Sequence, residues 1–237
     1  MKAITPYTAI FKDFDGQAVL QKIELIARTC YKSEGKIQDG SAENFVRGLI
    51  KRGHEAMLEH HSVTVKFVCD RGVSHELVRH RLASFAQEST RYCNYANDEF
   101  GSELVFILPW YLKYGSDGFK IWQTEMSSIE SSYFELLDFG CLPEEARSVL
   151  PNSLKTEVVM TANLREWRHF FKLRAAGVTG KPHSQMLQLA VPLLDDMKKM
   201  IPVVFDDIDA SKYNEFLKMR GEIYEPTAET DDEKTGA

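Results

Sequence analysis

At 237 residues the chain is long enough to bury a substantial core, and no break in composition divides it, so one domain over 1–225 and a disordered acidic tail over 226–237 are expected. A formal charge of −6 and a pI near 5.7 argue against a general nucleic-acid or membrane-surface binder, so any anion site must be local. No apolar run approaches the ~20 residues that cross a bilayer, "MKAITPYTAIFKDFDG" does not read as a signal peptide, and four scattered cysteines without a CxxC pair point to reduced thiols in a cytosol.

In chain order, a strand is expected over Ala3 to Phe11 and a helix over Asp15 to Cys30, where Val19, Ile23, Ile26 and Ala27 recur at helical spacing. "SAENFVRGLIKRG" predicts a second helix with Ser41 as N-cap and Gly53 at C′, followed by a turn. In "SVTVKFVC", Val63, Val65 and Phe67 alternate with Thr64, Lys66 and Val68, which predicts a strand with one buried face. "RGVSHELVRHRLA" then predicts a helix capped by Ser74 that carries Leu77, Val78 and Leu82 inward.

"ELVFILP" predicts a strand, and the long run from Gly118 to Gly140 an amphipathic helix offering Ile121, Trp122, Ile129, Phe134 and Leu137 for burial. "TEVVMTA" predicts a strand that ends at "NLREWRHFFKLR", where Asn163 and Glu166 have the spacing of an N-cap and its N3 partner for a helix closing near Arg174. A last helix is expected from His183 to Met200, irregular near Pro192. Strands and helices without a βαβ rhythm predict the α+β class.

One segment concentrates the chemistry: "RHRLASFAQESTRYCNY", Arg79 to Tyr95, gathers three arginines, a histidine and two serines in an acidic protein. Glu76 lies one helical turn before Arg79 and His80, so surface ion pairs explain part of the cluster. An unwinding segment, however, turns Arg79 and Arg81 toward one pocket, and in an extended segment Ser89 and Arg91 share a face. A hydroxyl beside a guanidinium fork holds phosphate through charge-assisted hydrogen bonds.

Other chemistries find less support. A zincin helix needs H-E-x-x-H, but Arg79 stands where the second histidine of "SHELVRH" belongs, and the histidine after His54 comes six residues on; no metal site is expected. Ser89 lies in "QESTR" rather than in a G-x-S-x-G elbow, and neither GxGxxG nor a Walker A lysine is present.

"RHRLASFAQESTRY" resembles the signature of the flavin-dependent thymidylate synthases: Arg-His-Arg, seven residues, Ser, one residue, Arg, Tyr. "GHEAMLEH" stands where that family has a Gly-His-Glu…Glu-His turn. "ARSVLP" around Arg147, "NLR" at Asn163 to Arg165 and "LR" at Leu173 and Arg174 follow in the family's order, so the likeness spans roughly residues 54 to 190.

The resemblance implies an α+β fold with a mostly antiparallel sheet packed with helices, and a cytoplasmic homotetramer. It implies reductive methylation of dUMP to dTMP, with methylenetetrahydrofolate as one-carbon donor, FAD as hydride carrier and NADPH as reductant, giving tetrahydrofolate. No nucleic acid or membrane partner is implied. Cofactor contacts fall on Arg79, His80, Arg81, Gln87, Asn163, Leu164, Arg165 and His169, with Ala56 at a position where many members carry Thr or Ser. Substrate contacts fall on Glu76, Leu77, Val78, Arg79, Gln87, Glu88, Ser89, Thr90, Arg91, Arg147 and Arg174, and His54 borders the folate and flavin rings.

Arg174 is the residue implied for chemistry, a fixed cation that favours the ionised N3 of uracil. Ser89, the second residue of the implied catalytic pair, has no neighbouring base to make it an alkoxide and is expected to bind and orient the nucleotide. Ala86, Gln87 and His169 stand where many members carry Asn, Glu and Asn. Rival readings are a non-catalytic nucleotide or flavin binder and a metal-dependent hydrolase.

Overall fold

The structure, a computed structural model, describes residues 1–91, 95, 103–214 and 217–218. Tyr92 and Cys93 of the arginine-rich segment and the acidic tail 226–237 lie outside the described residues. The strands are β1 (Lys2–Ile4), β2 (Tyr7–Ile10), β3 (Ser62–Asp70), β4 (Ala83–Gln87), β5 (Val105–Ile107) and β6 (Lys155–Asn163). The α-helices are α1 (Gly16–Thr29), α2 (Ser41–Lys51), α3 (Arg71–Leu77), α4 (Asp117–Asp138), α5 (Pro143–Ala146), α6 (Leu164–Arg174) and α7 (Ser184–Met200). A four-stranded antiparallel sheet runs β2-β3-β6-β4, and β1 pairs in parallel with β5 in a second, two-stranded sheet. This is the α+β architecture expected.

The centre of the main sheet follows from strict alternation. Pairing Val63 with Ala162, Val65 with Met160 and Phe67 with Val158 puts six apolar side chains on one face, all buried. On the other face Thr64 and Thr161 share a hydroxyl hydrogen bond of 2.9 Å. Helices α1, α2, α6 and α7 cover the apolar face and supply Leu20, Val46, Trp167, Phe170 and Leu193 to one core. A smaller core under α4 contains Phe106, Met126, Tyr133 and Leu154.

Several local expectations need correction. The N-terminal strand is two strands, because Pro6 lacks the N–H a ladder needs; β1 joins β5 and β2 joins β3. The N-cap of α2 is Gly40 at φ 74°, while the Ser41 hydroxyl lies 2.7 Å from a carboxylate oxygen of buried Glu24. Gly53, at φ 73°, does stand just past α2, where only glycine turns without strain; the expected turn continues into a 3₁₀ helix over Glu55–His60.

The N-cap of α3 is Asp70, whose Oδ1 accepts the Val73 N–H at 2.8 Å, while Ser74 donates to the Arg71 carbonyl. That helix stops at Leu77, because the chain must reverse over 78–82 before β4 pairs along β6. Leu77 is buried, but Val78 and Leu82 are 40 % and 74 % exposed rather than inward. On α4, Trp122, Ile129, Phe134 and Leu137 pack on the smaller core, whereas Ile121 is 66 % exposed and Phe119, Met126 and Tyr133 carry the burial. Among the described residues no helix is long and apolar enough to cross a membrane, and Cys30, Cys69 and Cys141 are free thiols.

Candidate functional site

The antiparallel sheet delivers chain segments to both of its ends. β3 ends at Asp70 and launches α3, and β4 runs out into residues 88–91, both at the end where β6 begins. β6 ends at the opposite end, at Asn163, whose side-chain oxygen accepts the Glu166 N–H at 2.9 Å and so caps α6. α6 starts at that far edge, and its last residue, Arg174, reaches back to the end of α3. Arg174 Nη1 donates to Glu76 Oε2 at 2.7 Å, and Nε donates to His80 Nε2 at 3.3 Å. The other His80 nitrogen, Nδ1, lies 3.1 Å from Glu166 Oε1.

These partners fix the imidazole tautomer. Arg174 is a donor only, so His80 Nε2 accepts, and the proton on Nδ1 is donated to Glu166. His80 is 4 % exposed, and burial, reinforced by the nearby Arg174 cation and by His169, pushes its pKa down to about 4. Burial raises the Glu166 carboxyl above its usual range. A neutral histidine thus links a buried carboxyl to Arg174, and Glu76 holds the guanidinium from the opposite side. Nη2 of Arg174 meets the Glu76 carbonyl only at 3.5 Å, which leaves a donor for a ligand.

A second feature is a cavity of about 300 Å³ lined by Arg71, Thr90, Glu144, Arg147, Ser148 and Leu150. Arg147 donates through Nε to the Glu144 carbonyl at 3.1 Å and reaches Thr90 Oγ1 at 3.4 Å. Arg91 is paired with the Glu144 carboxylate. Residues 90 and 91 form a turn rather than the extended stretch expected, and the Arg91 N–H donates to Ser89 Oγ at 3.2 Å. Glu88 is tied to Lys155 at 3.1 Å and accepts from the Tyr95 hydroxyl at 3.0 Å. Gln87 Nε2 donates to Ser74 Oγ and Thr156 Oγ1.

A third feature is a cleft of about 560 Å³ whose walls include Glu59, Leu82, Asn163, Arg165, His169 and Lys172. Its floor is secured by Arg168, 1 % exposed, which forms a two-pronged ion pair with Asp207 at 2.6 and 2.7 Å and a third contact with Glu55 at 3.0 Å. Arg165, a cation in the first turn of a helix, is balanced by Glu59 of the 3₁₀ helix.

The structure therefore brings Asn163, Arg165 and His169 to one cleft, Thr90 and Arg147 to one cavity, and Glu76, His80 and Arg174 to one hydrogen-bonded chain. Arg79 and Arg81 are exposed in the turn after α3; the Arg79 N–H donates to the Glu76 carbonyl at 3.3 Å, but neither guanidinium makes a hydrogen bond or ion pair among the described residues. Glu76 pairs with Arg174 and not, as a surface pair, with Arg79 or His80. The side chains of Leu77 and Leu164 are fully buried, so only their backbones can meet a ligand, and the Leu164 N–H is already donated to the His61 carbonyl. Ala56 and His54 are exposed on and just before the 3₁₀ helix, and Val78 faces solvent.

Sequence reasoning missed Glu166 as the partner of His80, Arg168 as the clamp of the cleft floor, and Arg71 in the small cavity. Glu166 was legible only as an N-cap partner; its side chain turns instead to a residue 86 positions away. His80, Glu166 and His169 also place ligand atoms within 4.8 Å of one another. A cation taken by His80 Nδ1 would expel its proton to Nε2 and set two N–H groups against each other across the 3.3 Å contact to Arg174. The geometry therefore favours a hydrogen-bonded chain over a metal centre.

An α+β framework brings arginines from separate helices to a small cavity, Arg71 and Arg147, and to a broader cleft, Arg165, an arrangement with the charge to hold anionic ligands. The comparisons narrow this reading. Residues 17–203 match the family model described as thymidylate synthase complementing protein. Flavin-dependent thymidylate synthases from Geobacter sulfurreducens and Corynebacterium aurimucosum are 33 % and 32 % identical to the chain, covering 78 % and 85 % of it and 80 % and 85 % of their own lengths. The fold is shared with a UMP/dUMP methylase, PolB, from Streptomyces cacaoi, at a TM-score of 0.72 and 23 % identity, covering 87 % of this chain and 96 % of that one. The chain belongs to the flavin-dependent thymidylate synthase family.

Proposed function

We propose that this protein is an FAD-dependent methyltransferase that converts dUMP to dTMP in the cytoplasm as a homotetramer. Methylenetetrahydrofolate supplies the one-carbon unit, NADPH supplies the reducing equivalents, and tetrahydrofolate is released. The observation that carries this reading is the arrival of Arg174, from the far end of α6, on Glu76 and on the histidine of the Arg-His-Arg motif.

Arg174 is the cation that favours the ionised N3 of uracil and so enriches the ring electronically. Glu76 and His80 spare it the entropy of searching for that position, since two of its donors are fixed before substrate arrives. Both nitrogens of His80 are engaged inside the protein, which makes it a positioning residue for Arg174. Arg147 and Thr90 receive the nucleotide phosphate, with Arg91 paired to Glu144 of the same cavity and Ser89 bonded to the Arg91 amide. Ser89 Oγ accepts from the Arg91 amide, and among the described residues no base meets it to make it an alkoxide.

The 560 Å³ cleft suits a flavin: Leu82 offers an apolar wall, His169 an exposed imidazole, and Arg165 and Lys172 cations for a pyrophosphate. Asn163 would hold the cofactor there, and Arg79 and Arg81, exposed in the turn that leads to Leu82, are available to its phosphates. When bound, the flavin carries hydride.

The test is direct. The purified protein should be yellow, bleach with NADPH, and release tritium from [5-³H]dUMP only when methylenetetrahydrofolate is present. A protein that binds flavin and dUMP yet releases no tritium would be a non-catalytic binder, and activity abolished by chelators would favour a hydrolase.

A further inference from the structure

The nucleotide reading leaves Arg71 without a task. Arg71 opens α3, and its N–H is shared by the carbonyls of Asn152 and Leu154 at 2.9 and 3.1 Å, so the backbone from which its side chain departs is fixed against the loop before β6. Its side chain lines the 300 Å³ cavity together with Thr90 and Arg147. Nη1 of Arg71 is buried and has no hydrogen-bond partner among the described residues. A guanidinium stays charged at all ordinary pH, and an unsatisfied buried N–H on it is costly.

The neighbouring acids do not explain the cation. Asp70 spends Oδ1 on the Val73 N–H, and its Oδ2 is itself without a partner among the described residues. Glu144, the one carboxylate that lines the cavity among the described residues, is engaged by Arg91. Two guanidinium groups thus face a small space whose acid is already used. Such a pair repels unless a ligand brings negative charge and several acceptors, which a phosphate monoester, near −2 at neutral pH, supplies.

Resting on the nucleotide reading, we propose that Arg71 is a phosphate-binding residue of the substrate site and completes with Arg147 and Thr90 a clamp for the 5′-phosphate of dUMP. Its role is to select the nucleotide over the nucleoside. It stands on a rigid helix start, so the clamp is preorganised.

The experiment compares equilibrium binding of dUMP and of deoxyuridine to the flavin-loaded protein for wild type, Arg71→Ala and Arg71→Lys. Arg71→Ala should weaken dUMP by about 10- to 100-fold, the range expected for a charge-assisted hydrogen bond. It should leave deoxyuridine binding unchanged, because only the contact to the phosphate is lost. Arg71→Lys should recover part of the loss, since a point cation remains, and it carries the test if the alanine variant does not fold. Equal dUMP affinity in wild type and both variants, or an equal loss for nucleotide and nucleoside, would overturn the assignment while leaving the proposed function intact. A wild type that binds no dUMP would overturn both.

Discussion

Acidification gives the sharpest test of the buried chain through His80. In the unfolded protein this imidazole titrates near 6.5, and in the fold burial, Arg174 and His169 hold it at about 4. Between those values the unfolded chain binds a proton that the native state refuses, so stability is full above about pH 6.5 and falls as pH drops toward 4. At 1.36 kcal/mol per pH unit, the gap corresponds to about 3 kcal/mol, with little discount for solvent because the side chain is 4 % exposed. Burial raises Glu166 and Asp70, which stabilises the fold in acid and opposes the effect in the raw curve. The comparison must therefore be between wild type and His80→Asn, whose amide can still donate to Glu166 but does not titrate. Urea unfolding at fixed protein concentration, from pH 7 to pH 4, should show the wild type's advantage over the variant shrinking by about 3 kcal/mol. An advantage that stays constant over that range would refute the neutral, doubly bonded His80.

Three further outcomes follow from the site. Arg174→Ala should retain flavin, because the cleft residues are untouched, but lose at least about 100-fold in turnover, as expected for a lost transition-state charge partner; absorbance at 450 nm and tritium release check both halves. Ser89→Ala should raise KM for dUMP while a measurable kcat survives, and complete loss of turnover with unaltered dUMP affinity would contradict its binding role. Arg168→Met should destabilise the fold by about 3 kcal/mol, because Asp207, Glu55 and the Val204 carbonyl lose a shared donor, which the urea midpoint reports.

Much of the scaffold was legible in one dimension. Strict alternation along β3 and β6 announced a half-buried sheet, and Asn163 announced a helix start, because those signals depend on contacts within a few residues. The helix caps at Ser41 and Ser74 were misplaced for the complementary reason: each hydroxyl found another partner, Glu24 in one case and the Arg71 carbonyl in the other. Val78 and Leu82 fit a helical stripe, yet the helix had to end early so that β4 could pair with β6. A pattern rule has no access to that demand.

The residues of the site divide in the same way. The order of amino acids alone set the family, the sheet-and-helix class and the identity of the arginines available for anions. Only the folded chain decided which of them meet: Arg174 finds His80 and Glu76 across 94 and 98 positions, and Arg71 shares a cavity with Arg147. Those meetings depend on strand register and on the length of α6, which are settled by burying the common apolar face of β3 and β6, and no local preference of the participating side chains encodes them.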